Sequence, residues 1–387
     1  MHQPTIPDLS DLLVLRQTLH TYPELSGMEV KTALQIVNFI KRYQPDEIHT
    51  QVGGTGVAAI FYGKKIDGPT ILFRAELDAL PIEETNENLP HKSVMPGIGH
   101  KCGHDGHMAI LAALGSLLHQ DKHERGKVIL LFQPAEETGA GARNVLQDER
   151  FQQLNPDYVF ALHNLPGVAL HKVIVRNEVF AAASTGMIIE LQGKPSHAAE
   201  PENGLNPGQA MAEVMLAFEQ ITRQKEQFQD LTLLTIIHAR LGEVAFGTNP
   251  GFATLMATLR SYQNSDLEKL RQLATRFAKE KAEKFGLQCT IKFVEEFPAT
   301  VNHAEAVQVV TQAADKLSLE WQEALKPFRW SEDFGHFTAT YKGALFGIGS
   351  GLEQPQLHHS DYDFPDDIIP TGASLFHEII HIILNKH

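Results

Sequence analysis

The strongest constraint on the fold is an alternation of short apolar runs with helical patterns between about residues 57 and 163. The apolar runs read VAAIFYG, TILFRA, KVILLFQ and DYVFALH, and helical periodicity appears at about 105–119 and 141–149. Near-continuous apolar strands separated by helices are typical of a sheet that helices cover on both faces. The chain is therefore predicted to build an α/β/α domain around a mixed sheet.

A second pattern occupies residues 183–297. Its order is strand, helix, strand, strand, helix, strand, from TGMIIELQG to QCTIKFVEEF, and this βαββαβ order predicts a ferredoxin-like module. After Pro298 the chain returns to a helix, a strand and a helix. We therefore predict one catalytic domain, formed by residues 1–182 and 298–387, with residues 183–297 inserted as a lid. The length of 387 residues agrees with two domains.

Composition excludes several classes of protein. The chain has 33 Lys and Arg against 47 Asp and Glu, a net charge of −14, which opposes nucleic acid and anionic membranes as partners. Two cysteines, Cys102 and Cys289, cannot build a disulfide framework. A signal-peptide pattern and an apolar run long enough to span a membrane are both absent from the sequence. We expect a cytoplasmic protein that binds neither membranes nor nucleic acid.

Polar side chains recur where the predicted strands end, and one cluster, GHKCGHDGH, precedes the helix at about 105–119. These residues are Glu76, Asp78, His100, Cys102, His104, His107, Glu136, Glu137, His163, His358 and His359. Open α/β sheets bind ligands beyond the carboxyl ends of their strands. The recurrence of these side chains at equivalent positions therefore predicts a single site at that edge.

The mixture of donors at these positions indicates the chemistry. Imidazole, thiolate and carboxylate together suit a first-row dication such as Zn, Ni, Co or Mn, whereas Ca and Mg prefer oxygen ligands. A close pair of such ions can polarise a carbonyl and activate water. In a consecutive Glu-Glu pair, one carboxylate can bind metal while the other takes the proton of that water. The sequence therefore predicts metal-assisted hydrolysis.

Six motifs carry a resemblance to a known family: GHKCGHDGHMA, QPAEETGAGA, ALHNLPG, GKPSHAAEPENGLNP, EDFG and LHHSDYDF. In order and approximate spacing they resemble the dinuclear metal amidohydrolases, a group that includes aminoacylases, hippurate hydrolases, auxin-conjugate hydrolases and N-acetyl-diaminopimelate deacetylases. The resemblance extends from TYPELSG to the C-terminal helix. It implies two divalent metal ions per chain and hydrolysis of the amide bond of an N-acyl amino acid or a short peptide.

The resemblance also implies roles for individual residues. Glu136 would be the general base and later the acid, and Asp78 would orient a metal-ligating side chain. His197 would reach over the site to stabilise the oxyanion and, with Asn249 and Arg260, would hold the substrate. His104 would lie between the two metals. The implied metal ligands are Cys102, His104, Glu137, His163 and His358.

Further expectations concern the remaining residues and the lid. Glu76 stands where close relatives usually carry Asp, and His100 and His107 are expected to steady the loop by hydrogen bonding or packing. Hinges near residues 182 and 298 would let the lid close and bring His197 over the substrate. The inserted module also offers a face through which two chains could pair as a homodimer.

The sequence also admits four other interpretations of its residues and motifs. Cys102 could be the nucleophile of a thiol-dependent amide hydrolase, and a non-catalytic binder of acyl amino acids or peptides could share the fold. HEIIH, residues 377–381, is a literal HExxH zinc-protease motif, but its apolar isoleucines predict a packed C-terminal helix. TGAGARN lacks the third glycine of a dinucleotide-binding loop.

Overall fold

The computed structural model describes residues 8–384. Most of the helices pack against strands. The longest, of 21 residues, belongs to the region predicted as lid, and two helices of 17 residues belong to the region predicted as catalytic domain. The α-helices are α1 (Leu9–Thr21), α2 (Val30–Ile40), α3 (His104–Gln120), α4 (Gly141–Gln147), α5 (Glu149–Gln152), α6 (Gly208–Arg223), α7 (Asn264–Lys284), α8 (Ala304–Lys316), α9 (Gly335–Thr338) and α10 (Ile368–Leu384).

The strands vary from two to twelve residues. They are β1 (Glu47–Val52), β2 (Gly56–Tyr62), β3 (Lys65–Glu76), β4 (Arg125–Gln133), β5 (Tyr158–Leu165), β6 (Val173–Val175), β7 (Glu178–Ala181), β8 (Ala183–Gln192), β9 (Ser196–His197), β10 (Thr232–Leu241), β11 (Thr248–Asn249), β12 (Phe252–Ser261), β13 (Gln288–Phe297), β14 (Thr300–Asn302), β15 (Trp321–Glu323) and β16 (Lys342–Gly349).

The larger sheet has eight strands in the order β1-β2-β4-β3-β5-β16-β6-β15. Its centre, β4-β3-β5-β16, is parallel throughout, whereas β1 and β2 pair antiparallel at one side. The carboxyl ends of the four central strands therefore lie along one edge of the sheet. Because strand residues alternate between faces, Phe73 packs in a core with α1, α3, α8 and α10, while neighbouring Arg74 points to the opposite face, where it lies over the ring of Phe334.

The smaller sheet has four antiparallel strands in the order β10-β12-β8-β13. Along the chain its elements run β8, α6, β10, β12, α7, β13, which is the predicted βαββαβ order. Apolar positions alternate along β12, where Ala253, Leu255, Ala257 and Leu259 are buried. The prediction of a mixed α/β domain with a ferredoxin-like insertion is confirmed.

The chain divides into two compact units. Among the described residues, unit 1 contains 8–180, 300–327 and 332–384, and unit 2 contains 181–299 and 328–331. The segment predicted as one helix at 141–149 is two helices, α4 and α5, because the Asp148 side chain caps the second by accepting a hydrogen bond from the Arg150 backbone N–H. Within residues 8–384, every helix is too short or too polar to traverse a bilayer.

Candidate metal centre

The segment from Cys102 to His104 places two donors at the start of α3. Gly103, between them, has φ of 94°, and a Cβ at this position would lie 2.7 Å from Oδ1 of Asn164 on β5. Glycine is required here both by the left-handed backbone and by the close approach. The turn therefore brings Cys102 and His104 against the carboxyl end of β5.

Two groups of three potential ligands that include Cys102 lie at this edge of the sheet, and a third group, Glu76, His104 and His107, adjoins them. In the first, donor atoms of Cys102, His104 and His163 lie within 4.8 Å of one another, and in the second, donor atoms of Cys102, Glu137 and His358 do so. The two groups share the Cys102 sulfur. The resemblance placed His104 between the metals, whereas the residue common to both groups is Cys102. All five residues implied as ligands are brought together in unit 1.

Backbone carbonyls fix the tautomers of two of these histidines. His104 Nδ1 donates to the carbonyl of Asp78 at 2.8 Å, and His163 Nδ1 donates to the carbonyl of Asn164 at 2.9 Å. With Nδ1 protonated in each ring, the lone pair is on Nε2. His163 Nε2 lies 3.5 Å from the Cys102 sulfur, and His104 Nε2 lies 3.8 Å from Glu137 Oε1. Both lone pairs therefore belong to nitrogen atoms that lie beside another potential metal ligand.

The two glutamates follow a strained residue at the end of β4. Ala135 has φ of 52°, a left-handed value that is uncommon outside glycine. The Glu137 backbone N–H donates to Asp78 Oδ2 at 3.0 Å, and the Ser26 hydroxyl donates to the same oxygen at 2.6 Å. Asp78 is fully buried. It therefore contacts both His104, through its carbonyl, and Glu137, through its carboxylate.

Glu136 is buried beside the cluster, with Oε2 4.0 Å from His104 Nε2 and Oε1 accepting from the Asp333 backbone N–H at 3.4 Å. Burial, together with the charges of Glu332 and Glu137, raises its pKa well above the usual range. Burial also raises the pKa of Glu137 to about 7 and that of Asp333 to about 8. The site thus concentrates carboxylates in a region that favours a compensating positive charge.

Behind Glu136 lies a buried ion cluster that the sequence reasoning missed. Arg74, on β3, contacts the carboxylates of Glu76, Glu332 and Asp333, all of which are buried. The sequence signal for this cluster is Arg74 inside the apolar run TILFRA, because an arginine that is buried in a core needs acidic partners. The cluster fixes the segment that carries Asp333, a hydrogen-bond partner of Glu136.

His358 reaches the cluster from the segment after β16. It has φ of 65°, its side chain is about half exposed, and its backbone N–H donates to the Lys101 carbonyl at 2.7 Å. Lys101 is fully buried and pairs with Glu84. The sequence pattern does not indicate Lys101 or Glu84, because a lysine between His100 and Cys102 gives no sign that it will be buried. Lys101 ties the Cys102 segment to the His358 segment.

The other residues of the GHKCGHDGH segment have different environments. His107 lies 2.7 Å from a carboxylate oxygen of Glu76 and 2.7 Å from Oδ1 of Asn164, so both ring nitrogens are engaged as expected for a residue that steadies the loop. His100 is buried, but its ring nitrogens have no hydrogen-bond partner among residues 8–384. Its ring packs 6.4 Å from that of His20. His100 therefore contributes by packing.

The substrate-binding residues implied by the resemblance belong to unit 2. His197 and Asn249 lie on the β9–β11 ribbon, in which His197 pairs with Thr248. His197 Nδ1 accepts from the Ala199 backbone N–H at 3.0 Å, which leaves the proton on Nε2 of this exposed ring. The amide of Asn249 is bonded to Ser196 and Asn206.

Arg260, also in unit 2, lies at the end of β12. Its guanidinium donates to the Ser331 hydroxyl at 2.7 Å and to a backbone carbonyl nearby, and burial lowers its pKa. The side-chain amide of Asn249 and Nη1 of Arg260 therefore make hydrogen bonds within unit 2.

The donor set fits divalent metal ions. Three buried atoms, His104 Nε2, Glu137 Oε1 and Asp78 Oδ1, lack a hydrogen-bond partner in the described part of the chain. Burying an unpaired polar atom costs free energy. A cation would satisfy His104 Nε2 and Glu137 Oε1, which belong to the groups of potential ligands. Thiolate, imidazole and carboxylate donors suit Zn, Mn, Co or Ni. The residues present are therefore appropriate for the metals that the resemblance implies.

Comparison with known proteins supports the same interpretation. The model of Peptidase family M20/M25/M40 matches residues 72–382. The chain is 30% identical over 379 residues to the hippurate hydrolase of Campylobacter jejuni, a match covering 96% of this chain and 97% of that protein. It is 28% identical over 375 residues to an N-acetylcysteine deacetylase of Bacillus subtilis, covering 96% of this chain and 97% of that protein.

Solved structures agree in fold. A dinuclear metal-binding peptidase from Bacillus subtilis superposes with a TM-score of 0.81 at 27% identity, over 98% of this chain and 99% of that one. An aminohydrolase structure from methicillin-resistant Staphylococcus aureus, described as putative, gives a TM-score of 0.87 at 25% identity, over 99% and 100%. The predicted resemblance is confirmed: the chain belongs to peptidase family M20/M25/M40, a hydrolase family with a dinuclear metal-binding member.

Proposed function

We propose that this hydrolase cleaves the amide bond of an N-acyl amino acid or a similar small conjugate, releasing a carboxylic acid and an amino acid. One observation carries the proposal: two groups of potential metal ligands share the Cys102 sulfur beside a buried carboxylate, Glu136, that belongs to neither group. The names of two relatives, hippurate hydrolase and N-acetylcysteine deacetylase, support this substrate class.

The ligands in this proposal are Cys102, His104, Glu137, His163 and His358, which would hold two ions of Zn, Mn, Ni or Co. Such ions would supply Lewis-acid polarisation of the scissile carbonyl and of the attacking water. Asp78 is a positioning residue, because its carbonyl holds the His104 ring and its carboxylate holds the Glu137 backbone. Fixing ring orientation and tautomer in this way raises the basicity of a ligand.

Glu136 moves the proton. Its carboxylate accepts a proton from the attacking water as the C–O bond forms, and it delivers that proton to the leaving nitrogen as the C–N bond breaks. The Asp333 backbone N–H holds one of its oxygens. Glu136 belongs to neither of the two groups of potential ligands that share Cys102, so in this proposal it remains available for proton transfer.

Residues of unit 2 complete the proposal. His197 carries its proton on Nε2, the form that donates a hydrogen bond to an oxyanion, and unit 2 would act as the lid that delivers it. Asn249 and Arg260 would hold the substrate, with Arg260 facing its carboxylate. This role requires Asn249 to exchange hydrogen bonds that it now makes within unit 2.

A thiol-dependent hydrolase is the second enzyme candidate, since Cys102 lies beside two histidines. Burial raises the pKa of the Cys102 thiol to about 12, whereas a nucleophilic cysteine needs a lowered pKa. A metal ion would deprotonate the same thiol on coordination. A binder without activity would have no use for Glu136, which makes that candidate the weakest.

The test is a substrate panel combined with metal removal. Acetyl, benzoyl and indole-acetyl amino acids are assayed before chelation, after chelation and after return of Zn, Mn, Co or Ni. We expect activity to disappear on chelation and to return with at least one metal. Full activity in the chelator together with loss on thiol alkylation would support the cysteine mechanism, and inactivity of every metal form on every conjugate would support the binder.

The proposal includes pairing of two chains through unit 2. Strand β10 is an edge of the four-stranded sheet, and Ile237 and Phe246, on and just after this strand, are more than half exposed. Exposed edges with apolar side chains favour pairing with another chain. Light scattering of wild type and Ile237→Lys tests this, since a dimer that becomes a monomer is expected and an unchanged mass contradicts the pairing.

A further inference from the structure

The HEIIH segment of α10 takes part in a second cluster of potential metal ligands in unit 1. His377 and His381 lie one helical turn apart, and donor atoms of these two rings and of Asp121 lie within 4.8 Å of one another. Asp121 follows the C-terminus of α3, and its Oδ2 lies 3.8 Å from His381 Nε2. None of these residues belongs to the candidate metal centre described above.

From this arrangement we propose that Asp121, His377 and His381 form a separate binding site for a divalent transition-metal ion, which links the end of α3 to α10. Two imidazoles and a carboxylate are a ligand set suited to Zn, Co or Ni rather than to Ca or Mg. Zinc bonds of about 2.0–2.2 Å put tetrahedral ligand atoms about 3.3 Å apart. Small side-chain rotations would bring the three donors to that spacing.

The surroundings of the cluster favour a cation. His377 is 8% exposed, and an imidazole nitrogen is a common metal ligand. The Asp121 side chain is 65% exposed, which gives an ion a route from solvent.

The cluster does not resemble a protease centre, although HExxH is a zinc-protease motif. In such enzymes the glutamate of the motif is the general base. Here Glu378 pairs with Lys316 of α8 at 2.8 Å, so its carboxylate is engaged by another helix. The site is therefore structural: an ion bound to the folded chain and not to the unfolded chain stabilises the attachment of α10.

The experiment counts zinc in untagged, chelator-stripped protein after equilibrium dialysis. Two parents are used: wild type, and His163→Ala/His358→Ala, in which the candidate metal centre is disabled. Each is compared with its Asp121→Asn/His381→Gln derivative. His238→Gln is the matched control, because His238 is an exposed histidine of unit 2.

We expect each derivative to bind one zinc fewer than its parent, the control to match wild type, and wild-type hydrolysis rates to persist in the wild-type derivative. Zinc should also raise the thermal midpoint of His163→Ala/His358→Ala but not that of its derivative. Equal zinc counts in parent and derivative, in either background, would overturn the proposal. Because the comparison is made within each background, the result does not depend on which residues bind the catalytic metals.

Discussion

At the scale of single residues, the two glutamates after β4 are adjacent in sequence but differ in their contacts. Glu137 belongs to a group of three potential ligands, and its backbone is held by Asp78. Glu136 is held by the backbone of Asp333 and lies against the buried carboxylates around Arg74. In the proposed function, Glu136 therefore transfers the proton and Glu137 binds metal.

Substitution separates these roles. Glu136→Gln removes the proton acceptor but no ligand, so turnover should fall by about 10²–10⁴-fold, the usual contribution of general acid–base catalysis, with metal content unchanged. The matched variant Glu137→Gln should lose metal affinity, and its activity should recover in part at high metal concentration. Rates are measured with metal content determined on the same samples. A Glu136→Gln protein that retains wild-type turnover would contradict the assignment.

The sequence predicted these donors because they sit at strand ends, where polar side chains have no other evident reason to follow apolar runs. It could not predict the partners of Arg74 or Lys101. Glu332 is 258 residues from Arg74, and a pairing at that separation is set by tertiary packing. The environment of His100, whose ring nitrogens have no hydrogen-bond partner within residues 8–384, was equally unpredictable. A histidine that packs and a histidine that forms hydrogen bonds look the same in a sequence.

At the scale of elements, α3 is the scaffold of the site. Its first residue is His104, its third is Gly106, and the ring of buried Phe364 lies directly on Gly106. A Cβ on Gly106 would be 2.3 Å from that ring. The close approach positions the start of α3 against the segment that carries His358.

Gly106→Ala should therefore destabilise the protein by about 1–3 kcal/mol through overpacking, more than the roughly 1 kcal/mol that alanine can gain over glycine in a helix. Urea unfolding measures the change. The double variant Gly106→Ala/Phe364→Leu should recover part of the loss relative to Phe364→Leu alone. A Gly106→Ala protein as stable as wild type would show that the ring moves aside freely.

Helix α1 is joined to α3 through His20. Its Nδ1 lies 2.8 Å from Asp105, and its Nε2 lies 3.2 Å from Glu84. Burial alone would lower the pKa of His20, but the hydrogen bonds with these carboxylates outweigh it and raise the pKa to about 9. The protonated ring therefore belongs to the folded state at neutral pH.

This raised pKa predicts a pH-dependent stability. An unfolded histidine titrates near 6.5, so the contribution of His20 is fully present below about pH 6.5 and is lost as the pH rises through about 9. The free energy of unfolding of wild type should exceed that of His20→Gln by the largest amount near pH 6.5, with a difference on the order of 3 kcal/mol disappearing by pH 9 and above. Metal-free protein is used. A constant difference would contradict the prediction.

Several elements lay beyond sequence reasoning. Strands β6, β9, β11 and β15 have two or three residues each, too few for an alternating pattern to appear. The longer strands and the βαββαβ order were predicted, because periodicity over ten residues is a strong signal. The break between α4 and α5 depends on one capping side chain, which periodicity does not detect.

At the scale of the whole molecule, the chain leaves unit 1 for unit 2 at residue 181 and returns at residue 300, with a further short excursion at 328–331. A lid role for unit 2 predicts that metal-loaded protein becomes more compact with an N-acyl amino-acid hydroxamate. Small-angle scattering should show a smaller radius of gyration with the ligand than without it. An unchanged radius at saturation would contradict closure.

The central claim is that donors distant in sequence gather around two cations beside a spare glutamate. Anomalous diffraction from crystals grown with zinc tests it most directly. At the candidate metal centre we predict two peaks per chain, about 2.0–2.3 Å from donor atoms of Cys102, His104, Glu137, His163 and His358, with Glu136 coordinated to neither; the site proposed at Asp121, His377 and His381 predicts a third peak. Crystals in which these five side chains bind no metal, or in which Glu136 is a ligand, would contradict the account.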